Sequence, residues 1–491
     1  MSMGTIAFLM SQVEKKISEF TNGTLDNLVT SENINIGDEF IYPKASVNLA
    51  AWLWFAGMSG LYGLIASAMT TYWAPGATGS GVAELIGYLN GINYPGWLEI
   101  KTLVTKIIGV TFAVCARLAV GKEGPLAHIG AIMGALVLYI PGLGFEFLRN
   151  DTDKRIFIAA GASVGVSCAF GAPMGGSLFA YEMSKTTTFW KFDMIWKTFA
   201  ACALGNFVFS LWNYFTSNDP TPSFNTSTLK FGIQTVEFNQ YPAGLLILGA
   251  IWFGIICGLL GPLFLMINQS CNTIRAKILD APWKKVLETT FFAFMSASIL
   301  FWTPFFFKLG ECHLNNSKTE EEEYYSGWCP KESTYSPGST LFWSGEGEII
   351  RIILNSHFVL TRDQMILFGC VWYFLMCITY GTMVPSGLFL PGMIVGCVLG
   401  DLFARETATL FDGPFADFNS KDLTDSNNSF EALELYNGMK MDFVTLACAG
   451  MLASYTRMTY SLVVIMMETT QSLYLFVPLL ITIFLSNVVA E

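Results

Sequence analysis

Charge is what this chain has least of. Asp, Glu, Lys and Arg make up 13% of its 491 residues, against 53% hydrophobic residues and a mean hydropathy of +0.48. So few charges cannot cover the surface of a water-soluble protein of this size. The composition is that of a chain crossing a membrane many times. Histidine is nearly absent, with three scattered residues, and no C-x-x-C occurs among eleven cysteines, so neither a metal centre nor any other cofactor is expected. No polar stretch is long enough for a separate soluble domain. The net charge of −11 gives no reason to expect a nucleic-acid partner. A cleavable signal peptide is not visible either: Met1–Met10 is apolar, but Glu14, Lys15 and Lys16 follow without a small-residue cleavage site. The start reads as the tail of a helix belonging to a longer chain.

What is present is a series of charge-free runs: Ala45–Ala83, Ile156–Tyr181, Tyr241–Ile274, Thr289–Phe307, Gln364–Gly400 and Thr469–Ala490. A spanning helix needs roughly 20 apolar residues. Several runs exceed that and read as pairs of helices joined inside the membrane, or as tilted and broken ones. Polar loops are expected at about 22–44, 151–155, 217–241, 275–286, 311–364 and 411–441. Residues 310–350 carry eight acidic side chains against Lys318 and Lys331, whereas 149–155 and 275–285 are basic. The positive-inside bias puts the basic segments in the cytosol and the acidic loop on the other side. The sequons at Asn22, Asn225, Asn315 and Asn427 fit that side too, as glycosylated loops. Cys312 and Cys329 flank the acidic loop and are placed for a disulfide.

Three glycine-rich strings interrupt the apolar runs: Gly79-Ser-Gly-Val-Ala-Glu84, Gly121-Lys-Glu-Gly-Pro125 and Gly387-Leu-Phe-Leu-Pro391. Irregular backbone at membrane depth is tolerated where it lines a cavity or pathway. Each string opens a helical run, so each aims a helix N-terminus, with free N–H groups and partial positive charge, at the interruption. That chemistry suits an anion. A faint echo links the two halves: Ser177-Leu-Phe-Ala-Tyr-Glu182 in one, Ser461-Leu462 running to Glu468 in the other. An inverted repeat and the chance recurrence of small and apolar residues both account for it.

In these strings the chain resembles the CLC family of chloride channels and chloride/proton exchangers, whose signatures are G-S/P-G-I-P-E, G-K/R-E-G-P and G-x-F-x-P in this order. Gly171-Ala-Pro-Met-Gly-Gly176, Arg457-Met-Thr459 and Glu468 extend the likeness along nearly the whole chain. Val384-Pro-Ser-Gly-Leu-Phe-Leu-Pro391 brings it nearest to the intracellular and plant branches. The resemblance implies an all-α membrane fold of two inverted repeats of tilted and broken helices, about 1–216 and 240–491. It implies a homodimer among membrane lipids, with one anion pathway per subunit, in the plasma membrane or an endomembrane. Chloride would be held by the Ser80 hydroxyl and by backbone at Gly81, Gly124, Leu388 and Phe389. Glu123 would be the gating glutamate, occupying the anion's position when ionised and leaving it when protonated.

Two departures matter. Exchangers of the family carry a second, inner glutamate in L-F-x-x-E-E, whereas Glu182 here is followed by Met183, which cannot relay a proton. This favours a voltage- or pH-gated channel, with a chloride/proton antiporter as the alternative. Ala83 stands where the family has proline. The family's coordinating tyrosine on a final helix and its cytosolic CBS domains do not occur before Glu491, as in a truncated chain. An intramembrane enzyme is the remaining alternative. His128, five residues past Glu123, is its one candidate, and no nucleophile pairs with it in sequence.

Overall fold

Away from water a chain must satisfy its own backbone, and apolar runs do so as helices. The computed structural model describes residues 1–30, 45–140, 145–184, 192–216, 243–307, 313–314, 334–354, 360–410 and 427–491. In the first half the helices are α1 (Ser2–Thr30), α2 (Ala45–Ala68), α3 (Val82–Leu89), α4 (Ile100–Cys115), α5 (Glu123–Val137), α6 (Asp151–Phe170), α7 (Pro173–Ser184) and α8 (Phe192–Thr216). The second half has α9 (Ala243–Ile278), α10 (Pro282–Phe306), α11 (Pro337–Trp343), α12 (Glu346–Leu354), α13 (Arg362–Thr379), α14 (Phe389–Leu410), α15 (Asn427–Thr456), α16 (Tyr460–Thr470) and α17 (Phe476–Val489). Two-residue strands at His313–Leu314 and Thr334–Tyr335 pair antiparallel.

Among the described residues four segments are long and apolar enough to cross a membrane: Leu49–Trp73, Met194–Thr216, Gly244–Ile278 and Pro282–Phe306. Their outward faces are apolar, as at Leu248, Leu259 and Met266 on α9, each more than half exposed. A bare stripe of this kind suits lipid.

The long runs break as their length requires. Ile156–Tyr181 becomes α6 and α7, parted at Gly171 in a left-handed turn (φ +68°). The run from Gln364 to Gly400 becomes α13 and α14, parted around Gly381 (φ +98°). The echo between halves is a reciprocal contact. Glu182, near the end of α7, accepts from the N–H and hydroxyl of both Thr459 and Ser461 at the start of α16. Glu468 of α16 accepts from the N–H groups of Met174 and Gly175 at the start of α7, at 3.1 and 2.9 Å. Each helix caps the other's N-terminus, the relation expected of inverted repeats.

Several expected loops are helical instead. α1 runs to Thr30, and Asn22, read as an exposed sequon, is 1% exposed with its Oδ1 taking a 2.7 Å hydrogen bond from Arg117. A glycan has no room there. The basic segment near 151 is the first turn of α6, 275–286 holds the ends of α9 and α10, 337–354 forms α11 and α12, and α15 begins at Asn427. Polar side chains of these segments find partners within the fold: Arg275 pairs with Glu288 at 2.6 Å, and Lys440 pairs with buried Asp401 at 3.0 Å. Cys312, Cys329, Asn225 and Asn315 lie outside the described residues.

Candidate functional site

The three glycine strings meet. Gly121 and Gly387 exchange backbone hydrogen bonds, N–H to C=O, at 2.8 and 2.9 Å. Gly79 donates to Val384 at 3.0 Å and accepts from Ser386 at 3.2 Å. The 384–387 stretch is thereby stitched to both strings of the first half. Gly79 and Gly81 hold φ of +67° and +80°, which a side chain would oppose. Glycine is also a matter of space. A Cβ on Gly124 would stand 2.9 Å from Ser80 Cβ, and one on Gly387 would stand 2.9 Å from the Gly121 carbonyl and 3.1 Å from the Gly124 nitrogen.

Because α3, α5 and α14 all begin here, their N-terminal dipoles converge. Among the described residues the N–H groups of Gly124, Leu388 and Phe389 bond to no other protein group. The Leu388 and Phe389 side chains serve packing: Leu388 lies against the core, and Phe389 meets Phe170 edge to face at 5.7 Å. Ser80 adds a hydroxyl, which accepts from Val82 N–H at 3.3 Å and is a hydrogen-bond partner of Tyr380. The result is a set of neutral donors without a full charge among them, which can hold an anion without trapping it.

Glu123 opens α5 and is 1% exposed. Neither carboxylate oxygen has a partner in hydrogen-bond geometry, and the nearest donors are its own N–H and that of Leu390. The carboxylate lies back over Gly121 Cα, so any side chain at 121 would strike it. Lys122 does not neutralise it by contact, because the Lys122 ammonium is paired with Glu14 of α1 at 2.6 Å.

Tyr455, which the motifs did not single out, donates its hydroxyl to the Leu388 carbonyl at 2.8 Å and packs its ring on Gly392 and Phe264. This fixes the 387–391 string with one carbonyl held by tyrosine. Lys106 was also missed, although it is the single charge between Thr102 and Cys115. It is 0% exposed, and its Nζ meets His128 Nδ1 at 2.7 Å. His128 Nε2 bonds the Trp97 carbonyl at 3.0 Å, so both ring nitrogens are engaged and the ring supports Gly81. Met183 packs half-buried against the core at the end of α7, beside the capping Glu182.

Comparison with known proteins agrees with this architecture. The family model for voltage gated chloride channels matches residues 62–491. Chloride channel protein C of Dictyostelium discoideum is 28% identical over 460 residues, covering 90% of this chain and 56% of its own. H(+)/Cl(-) exchange transporter 7 of Bos taurus is 28% identical over 464 residues, 91% of this chain and 52% of its own. A solved structure of a slow cyanobacterial Cl-/H+ antiporter superposes with a TM-score of 0.62 at 18% identity, covering 100% of this chain and 94% of that one. The chain spans about half the length of the curated relatives it matches. With a family model covering most of its length and the fold of its solved neighbours, the chain belongs to the voltage-gated chloride channel, or CLC, family.

Proposed function

We propose that this chain moves chloride across a membrane through the convergence of α3, α5 and α14. Chloride is held by the Ser80 hydroxyl and by backbone at Gly81, Gly124, Leu388 and Phe389, and Glu123 competes with it for the same donors. The observation that carries this reading is the Glu123 carboxylate itself: buried, unpartnered, and facing the Leu390 N–H at the start of α14. A carboxylate placed so is a tethered anion, and its protonation frees the donors. The subunit works as one half of a homodimer.

Two observations pull apart on the mode of transport. Met183 offers no inner proton acceptor and favours a pH- and voltage-gated channel. The names of relatives and of the cyanobacterial neighbour favour chloride/proton exchange at least as strongly. Reversal potential in planar bilayers, at equal chloride and a tenfold proton gradient, separates them. The channel gives no displacement from zero, and an exchanger is displaced toward the proton equilibrium.

Tyr455→Phe tests the anchoring of the Leu388 string. Losing one neutral hydrogen bond costs about 1 kcal/mol. The chloride concentration at half-maximal flux should therefore rise about fivefold, with folding retained. An unchanged concentration dependence removes Tyr455 from the site.

A further inference from the structure

The Glu123 carboxylate has an acidic neighbour that the motif does not supply. Glu346 opens α12 and is 2% exposed. One of its oxygens accepts the Val120 N–H at 3.0 Å, directly before the Gly121–Gly387 pair and three residues before Glu123. Its other oxygen is buried and, among the described residues, has no partner. The charged groups around it are Glu123 of α5 and Glu14 of α1, which repel its anion, and Arg117 after α4, which attracts it. Both nearby cations are committed elsewhere. Arg117 donates to Asn22 Oδ1 at 2.7 Å and to the Ser344 carbonyl at 2.5 Å, and Lys122 is paired with Glu14. Cys115 adds only a thiol that points at the Glu14 carbonyl from 4.0 Å. On the Glu14 side of this cluster is a small cavity with room for about one water, lined by Glu14, Ser18, Thr21 and Arg117 together with apolar Ile17 and Val114.

Two buried carboxylates without a shared cation do not ionise independently. A proton on one changes the other, and the pair titrates as a unit. We propose that Glu346 is the outer proton exchanger of Glu123, taking a proton from the side the acidic loop faces and passing it to the Glu123 carboxylate. In the transfer the Glu346 O–H bond breaks as the Glu123 O–H bond forms, through intervening water. The negative charge left on Glu346 is then discharged by a proton from solvent. This deepens the reading of Glu123 as the titrating gate and rests on it.

The test uses the full chain in liposomes and Glu346→Gln, whose amide oxygen still accepts from Val120. Two readouts are taken. In pH-difference infrared spectra, the carboxyl band that Glu123→Gln abolishes should titrate with a midpoint moved by about one pH unit, a tenfold change in proton concentration. Chloride flux should show the same displacement with extracytoplasmic pH, and none in a Glu123→Gln background. A Glu123 band that titrates as in the unsubstituted chain overturns the proposal, as does a displacement that persists without Glu123. The infrared arm reads the carboxyl pair even where no chloride moves, so failure of the transport reading is told apart. Glu346→Asp keeps the acid and withdraws it by one methylene. It should slow the flux response to a pH jump without moving its midpoint, and an unslowed response also overturns the proposal.

Discussion

Glu123→Ala is expected to abolish the response of chloride flux to pH. In the unsubstituted chain flux should rise as pH falls, because a protonated carboxyl no longer competes with chloride for the N–H donors. The size of the competition follows from the geometry. An anion in a partly buried position gains up to about 2 kcal/mol from one helix N-terminus, and the Glu123 carboxylate faces those of both α5 and α14. Burial of the carboxylate opposes that gain, so protonation decides whether the side chain or chloride holds the donors. Removing the carboxylate removes the whole of this competition, so flux at pH 5 and pH 7.5 should differ by a factor of about 1. Glu123→Gln keeps the shape and removes the charge, and should match the alanine variant in its flat pH profile. Radioactive chloride uptake into liposomes at several pH values reads both. If either variant keeps the original pH profile, Glu123 is not the gate.

Glu123 could be picked out from the sequence because its requirements are local. A glycine on either side, a proline two residues on and an apolar run behind it leave little but a turn opening a helix. That α3 opens directly after Gly79-Ser-Gly81 was legible for the same reason. The meeting of the three strings was implied by the family resemblance, but the pairing of Gly121 with Gly387 joins residues 266 positions apart, and nothing local announces it. Tyr455 and Tyr380 were invisible on the same ground: each looks like an ordinary apolar-run aromatic until its hydroxyl is placed. Hydropathy also misjudged the polar segments. Asn22 and Lys440 count as loop formers one by one, yet each is buried with a partner, Arg117 and Asp401, that sequence distance hides. Glu346 was counted only toward the charge of an acidic loop. Its place beside the site rests on the bond from Val120 N–H, 226 positions away.

Gly396→Ala is expected to cost transport without any change to a group that touches chloride. The argument begins with a register shared by the two halves. Gly130 and Gly134 lie 7 and 11 residues after Glu123, where α5 begins, and Gly396 and Gly400 lie 7 and 11 residues after Phe389, where α14 begins. In both helices these glycines press on the backbone of the next helix. A Cβ on Gly130 would collide with the Gly161 carbonyl group, and one on Gly134 would lie 3.0 Å from the Phe157 carbonyl carbon. On α14, a Cβ at Gly396 would stand 2.6 Å from Cys448 Cα and 2.7 Å from its nitrogen, where ordinary contact is 3.4–4 Å. Backbone cannot swing aside as a side chain can, so even alanine must push α14 away from α15. Close helix approach through small residues spaced four apart is how membrane helices gain packing in the absence of a hydrophobic drive. Overpacking of this kind costs about 1–3 kcal/mol. Its effect at the site is larger, because α14 carries Phe389 and Leu390, and displacement of a binding group by a fraction of an ångström is enough to cost on the order of tenfold or more in rate. Gly57→Ala in α2 is the control: nothing lies within 4 Å of a Cβ there, and the substitution should stabilise by about 0.5–1 kcal/mol. The two variants, compared by thermal melting in detergent and by chloride flux in liposomes, should move in opposite directions in melting temperature, with flux lost only in Gly396→Ala. Equal behaviour would mean that the clamp between α14 and α15 does not hold the N–H donors in place.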